Sequence, residues 1–275
     1  MSMSTFAGTA EHYRKYRPGI PRDVAEILAA AVLGRHPRRL LDIGTGTGLV
    51  VEALLTRFDD IIAIDTDADM LTSAEAAVRA KVPKNTRMTL QCCSAEEFTP
   101  PEDWHADLVT ICRAFHWLDQ ATVLERLATQ VAPDGAVVIF GDNSFWAAGS
   151  PWEDAVRAVI LDFFLGERRR AGTGIFSHHD RPYSEIMQES QFCQVEELRV
   201  PVRRLWSTET ILGYLYSTSF AAPHLFGDRL ADFEVAIART LAEFSDNDVF
   251  PEENEFLIRI GRRRGSGLPA FDSVR

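Results

Sequence analysis

The chain has 275 residues, 46% hydrophobic and 25% charged, an ordinary balance for a globular protein with a sizeable core. Its 29 basic and 40 acidic residues leave a formal net charge of −11, which argues against binding nucleic acid by phosphate neutralisation. No apolar run approaches the roughly 18 residues needed to span a bilayer, and MSMSTFAGTAEHYRKYRPGIP lacks the uninterrupted apolar core of a signal peptide.

In chain order, short apolar runs at 40–43, 61–64, 87–91, 107–112 and 136–140 predict strands. Helical spacing at 48–57, 68–80 and 119–130 fills the gaps between them. Strand and helix alternation reads as βαβ units, hence a doubly wound parallel sheet with helices on both faces. APDGA (132–136) is expected to turn, with Gly135 free to take a positive φ. Farther on, a helix is predicted over 151–166, with Ser150 as N-cap and Pro151 as first residue. The polar stretch 166–182 reads as a mobile loop. A strand near a sheet edge follows over 192–206, interrupted by Pro201. Helices are expected at 208–218 and 228–244, and a last strand at 254–263 with Phe256, Ile258 and Ile260 on one face.

The four cysteines (92, 93, 112 and 193) form no CxxC, which fits free thiols in a reducing cytoplasm. Basic clusters at 35–39, 168–170 and 262–264 read as solvated surface. SHHD (177–180) has no further ligand at a convincing spacing, so it reads as a surface loop and no metal is expected.

The most informative stretch is LLDIGTGTGLVVEALL (40–55). Its glycines fall at 44, 46 and 48, and position 49, where a dinucleotide fingerprint needs glycine, is Leu. Asp42 precedes the loop. An acid there is unfavourable for a pyrophosphate, whereas a cationic ligand could be attracted by it, directly or through a water. Asp65 follows the second strand, 21 residues after Gly44, where a carboxylate can accept ribose hydroxyls. That second signal is shared with nicotinamide enzymes and does not discriminate.

LLDIGTGTG, IIAIDTDADML, CCSAEEF, FHWLD and VAPDGAVVIF, in that order, resemble the class I S-adenosylmethionine-dependent methyltransferases. EHYRKYRPGIP is similar to the opening of a subgroup that includes trans-aconitate-type and actinobacterial natural-product enzymes. The resemblance covers residues 10–145 most closely. It implies a Rossmann-like, seven-stranded α/β sheet, mostly parallel with the last strand antiparallel, and a helical cap inserted late in the chain. In this reading one domain spans 1–275, with its core at about 22–145, 190–206 and 254–263. Helix 8–18 and residues 207–245 would form the substrate cap.

The resemblance also implies roles residue by residue. Asp42, Gly44, Thr45 and Gly46 would meet the methionyl part of S-adenosylmethionine. Asp65 would hold the ribose, with Thr66 beside it and Met70 on one adenine face. Ala95 and Glu96 would border the adenine amino group, and Arg113 and Ala114 would run beneath the sulfonium. Tyr13 and Arg17 would close over the cofactor. For Met70, Glu96, Tyr13 and Arg17 a purely structural role stands beside each of these.

His116 is the candidate base, because imidazole titrates in the range needed to deprotonate a phenol or an acidic carbon. Equally, His116 and Trp117 could only shape a pocket wall. Trp117, Trp146 and Tyr214 are the candidate acceptor contacts among downstream aromatics that also include Phe145, Trp152, Trp206, Tyr216, Phe220 and His224. These favour a planar or apolar small molecule, or else form ordinary core. The expected protein is a cytoplasmic monomer or homodimer that methylates a small molecule, a secondary metabolite or small organic acid, without nucleic-acid or membrane partners. Two alternatives remain: a cofactor-binding protein of this fold that catalyses a non-methylating reaction or none, and a nicotinamide-dependent oxidoreductase, against which Leu49 argues.

Overall fold

The computed structural model describes residues 8–32, 37–147, 149–166, 169–170, 174–175 and 181–265. The elements run α1 (Ala10–Tyr16), α2 (Arg22–Ala30), β1 (Arg39–Ile43), α3 (Leu49–Leu54), β2 (Asp60–Asp65) and α4 (Ala68–Val78). Next come β3 (Arg87–Cys92), β4 (Ala106–Cys112), α5 (Gln120–Gln130), β5 (Val131–Asp142) and α6 (Pro151–Phe163). The chain ends with β6 (Arg169–Arg170), β7 (Gly174–Ile175), α7 (Tyr183–Gln188), β8 (Gln194–Trp206), α8 (Thr208–Tyr216), α9 (Leu230–Leu241) and β9 (Phe250–Arg262).

Seven strands form one sheet in the order β3-β2-β1-β4-β5-β9-β8, with the last strands antiparallel. Strand β1 pairs parallel with β2 and β4, β2 with β3, and β4 with β5. The order therefore reverses between β1 and β4, the position at which an open α/β sheet leaves a crevice for a ligand. Burial accounts for the sequence pattern. Strands β1, β2 and β4 are buried almost throughout and read as unbroken apolar runs, whereas edge strand β3 alternates in exposure.

The described residues fall into two compact units. The sheet unit takes Gly19–Gly141, His179–Val200 and Phe256–Arg275, and the helix-rich unit takes Met1–Pro18, Asp142–His178 and Pro201–Glu255. The segments expected to form a cap, 8–18 and 207–245, belong to the helix-rich unit, which also takes 142–178. The sheet unit has a core of Leu41, Ile43, Ile62, Ile64, Val109, Ile111, Val137 and Ile139 among others. Phe226 and Phe233 stack at 4.0 Å in the separate core of the helix-rich unit, with Val156, Ile160, Leu215 and Ile237.

Three expectations are revised. The cluster at 262–264 is not all solvated surface. Arg262 is buried and donates to Ala31 O at 3.0 Å, while Arg263 donates to Ala128 O, Val131 O and Ala132 O where α5 ends. Positive charge there answers the carbonyls that a helix leaves open. Arg38 does the same at the end of α2 through Ala29 O and Val32 O. Gly135 does not use a positive φ; a Cβ there would lie 2.6 Å from Val131 Cγ1 and 2.8 Å from Asp107 O, so closeness requires the glycine. Within 166–182, β6 and β7 pair as a short antiparallel ribbon instead of a plain loop. SHHD lies outside the described residues. Among the described residues no helix is long and apolar enough to cross a membrane, and no cluster could hold a metal.

Candidate active site

The glycine loop leaves β1 at the point where strand order reverses. Gly44, Gly46 and Gly48 have φ of +68°, +54° and +81°, a region that side chains disfavour. A Cβ on Gly44 would lie 2.6 Å from Ala114 Cβ, so the loop and the turn after β4 approach as closely as backbones allow. Ile64 O accepts both Gly44 N–H (2.9 Å) and Thr45 N–H (3.0 Å). The Asp65 carboxylate completes the clamp, taking Gly46 N–H at 2.8 Å and Asp67 N–H at 2.9 Å. Asp65 is thus already paired with two backbone N–H groups. Its remaining lone pairs are open to a ribose. Burial pushes its pKa up, and the Asp67 and Gly46 amides oppose that rise.

Asp42 is only 1% exposed. Its Oδ1 accepts a hydrogen bond from the Thr110 hydroxyl at 2.7 Å, and Thr110 is a buried polar residue in central strand β4. Burial raises the Asp42 pKa from 3.8 to about 6, aided by the negative charge of Asp65 and opposed by the Thr45 and Thr110 hydroxyls. Asp42 Oδ2 and the hydroxyls of Thr45 and Thr47 are buried without a partner at hydrogen-bond geometry, although Thr45 is near enough to favour the carboxylate. A buried acid with an orphaned oxygen beneath a side-chain-free loop fits a ligand that brings positive charge. Its burial leaves Asp42 no open surface for a direct contact.

Apart from Tyr13 and Arg17, the other expected cofactor residues lie in the same unit. Asp67 caps α4 by accepting Asp69 and Met70 N–H, and Met70 is buried on the inner face of that helix. Thr66 is exposed, and its carbonyl lies 3.7 Å from Cys92 Sγ. Ala95 packs into the core, and Glu96 Oε1 accepts Asp119 N–H at 2.8 Å, so Glu96 supports the start of α5. Arg113 follows β4 with φ +54°. His116 lies on the short 3-10 turn Phe115–Trp117, which buried Phe115 anchors; His116 is half-buried, its ring 4.9 Å from that of Trp117.

Tyr13, Arg17, Trp146 and Tyr214 belong to the helix-rich unit. The Arg17 guanidinium lies 5.0 Å from the Tyr13 ring and 4.7 Å from the Tyr214 ring. Trp146 meets Phe220 edge-on at 5.1 Å. Sequence reasoning missed a charged knot nearby: Arg204 donates to Asp142 (2.7 Å) and Glu252 (3.2 Å), and Glu252 also accepts Trp206 Nε1 at 2.7 Å. The cavity bounded by this knot, Phe145, Trp152 and Tyr214 measures about 10 Å³, room for one water. Inside this unit those aromatic rings are core.

Residues 41–139 match the family described as Methyltransferase domain. This segment is a class I methyltransferase domain. The cofactor of that class is S-adenosylmethionine. An uncharacterized methyltransferase of Mycobacterium tuberculosis is 31% identical over 135 residues, 49% of this chain and 50% of that protein. The malonyl-[acyl-carrier protein] O-methyltransferase of Halorhodospira halophila is 31% identical over 157 residues, 54% of this chain and 51% of that one. The trans-aconitate 2-methyltransferase of Rhizobium etli is 28% identical over 162 residues, 54% of this chain and 59% of its own length. The chain spans about half the length of the curated relatives it matches. A structure described as a type II methyltransferase, from Anaeromyxobacter dehalogenans, superposes with a TM-score of 0.58 at 20% identity. It covers 90% of this chain and 98% of that one, and shares the methyltransferase fold.

Proposed function

We infer that the chain is an S-adenosylmethionine-dependent methyltransferase acting on a small molecule. The observation that carries this reading is the left-handed glycine loop held by Asp65, with buried Asp42 beneath it, at the reversal of strand order. Gly44 and Gly46 leave room for a ligand against the backbone, Asp65 retains lone pairs for ribose hydroxyls, and Asp42 sets a negative potential under a cationic sulfur. The cofactor supplies an electrophilic methyl group. The chain's own work is to align the acceptor with that methyl group and to exclude water. When the acceptor arrives protonated, His116 takes its proton, and Trp117 forms a wall beside it. Relatives named for trans-aconitate and for the malonyl group of an acyl carrier protein support a small organic acceptor.

The test is incubation with methyl-labelled S-adenosylmethionine and a metabolite panel, followed by separation of labelled products. Transfer to a small molecule that is lost in Asp65→Ala supports the reading. Cofactor binding with no transfer to any panel member favours a binding protein of the same fold.

A further inference from the structure

Strand register sets Asp42 in a row that crosses four strands: Ala63 on β2, Asp42 on β1, Thr110 on β4 and Val138 on β5. Residues in register share a face of the sheet, and all four are buried. Ala63 and Val138 are apolar, so Thr110 is the polar neighbour that this row gives Asp42. A buried strand position that needs only a branched side chain takes Val, as Val109 and Val138 do, whereas an unpaired hydroxyl there costs stability. The Thr110 hydroxyl has one proton and two acceptors in reach, Asp42 Oδ1 at 2.7 Å and Leu41 O at 3.5 Å. The shorter contact, to a carboxylate, takes the proton. Asp42 Oδ1 is thereby occupied, and Oδ2 is left as the oxygen without a partner. Among the described residues, the groups that act on this carboxylate are Asp65, whose negative charge opposes ionisation, and the hydroxyls of Thr45 and Thr110, which favour it.

We propose that Thr110 is a positioning residue for cofactor binding: its hydroxyl pins one oxygen of Asp42 and holds the carboxylate in its charged form beneath the glycine loop. This inference rests on the reading of that loop as an S-adenosyl site. Burial and a second acid nearby both favour the neutral form of Asp42, so a donor aimed at the anion decides how much negative charge meets the cofactor near neutral pH. Thr110 acts through Asp42 alone. Because the effect is one of charge, the sulfonium of S-adenosylmethionine feels it more than the neutral sulfur of S-adenosylhomocysteine, and the product is held less tightly than the substrate.

The experiment is calorimetric titration of wild type, Thr110→Ser, Thr110→Val, Asp42→Asn and the double variant Asp42→Asn/Thr110→Val with S-adenosylmethionine and S-adenosylhomocysteine, from about pH 5 to about pH 8. Wild-type affinity for S-adenosylmethionine should fall as pH drops through about 6. Thr110→Val should move that fall upward by about 1 to 2 pH units and weaken S-adenosylmethionine about 2- to 10-fold at neutral pH. It should also narrow the preference for S-adenosylmethionine over S-adenosylhomocysteine. Thr110→Ser keeps the donor and should stay within about twofold of wild type. With Asp42→Asn already in place, Thr110→Val should change affinity by less than about twofold. Thr110→Ala carries the same prediction should the valine variant fail to fold. An unmoved pH midpoint in Thr110→Val, an equal loss in the Asp42→Asn background, or a loss in Thr110→Ser as large as in Thr110→Val would each overturn the proposal, as would wild-type binding with no pH dependence. Failure of wild type to bind either ligand at any pH would instead remove the S-adenosyl reading itself, and the proposal with it.

Discussion

Asp65 Oδ2 accepts the backbone N–H of Gly46 at 2.8 Å, so the carboxylate proposed to bind ribose also fixes the glycine loop. Asp65→Ala should therefore act twice. Losing a charged acceptor of backbone N–H groups should cost about 1–3 kcal/mol of stability. Calorimetric titration should show S-adenosylhomocysteine affinity reduced at least about tenfold. Asp65→Asn, which keeps one acceptor oxygen, should fall between.

Gly44 is restricted both by its φ of +68° and by Ala114 at 2.6 Å from a would-be Cβ. Gly44→Ala should destabilise by about 1–3 kcal/mol and abolish measurable cofactor affinity. Adding Ala114→Gly removes the collision but not the backbone strain, so denaturant titration should show partial rescue. Full rescue would assign the whole cost to sterics.

Asp42 sets a pH dependence whose sign is fixed. Its folded-state pKa, about 6, exceeds its ordinary 3.8, so the folded protein holds this proton more tightly. The contribution to stability is present below pH 3.8 and is lost as pH rises through about 6. At about 1.4 kcal/mol per pH unit, the penalty at neutral pH is on the order of 3 kcal/mol. Asp42→Asn should accordingly raise thermal stability at pH 7 without ligand while weakening S-adenosylmethionine binding. Wild-type affinity for that cation should also fall between pH 7.5 and pH 5, and the Asn variant should lose this dependence.

Much of this architecture was legible because central parallel strands, buried on both faces, appear as unbroken apolar runs. The GTGTG spacing and the acids at 42 and 65 likewise marked the loop, because left-handed backbone and buried charge leave traces in residue type. Pairing in space was harder to read. Nothing local links Asp42 to Thr110, Glu96 to Asp119, or Arg113 to Gly141 and Phe256. The arginines at 262 and 263 looked like surface because a run of cations usually is; the carbonyls they cap lie more than a hundred residues away in sequence.

That reversal is testable in the same run of residues. Arg263→Ala removes donors to three carbonyls at the end of α5 and should cost about 1–3 kcal/mol in denaturant unfolding. Exposed Arg264→Ala should change stability by less than about 0.5 kcal/mol.

For His116, the base role predicts that His116→Ala lowers kcat by about 10²-fold or more while S-adenosylhomocysteine affinity holds. The pH–rate profile should lose its limb near the imidazole range. Retention of kcat with a raised KM would make His116 and Trp117 a pocket wall instead.

Calorimetric titration of the full chain with S-adenosylhomocysteine, run beside NADH, decides whether this loop binds an S-adenosyl cofactor. One-site binding of S-adenosylhomocysteine, absent or sharply weakened in Asp65→Ala, together with no binding of NADH, is the predicted result. No heat with S-adenosylhomocysteine at saturating concentration, or preferential binding of NADH, would contradict the account.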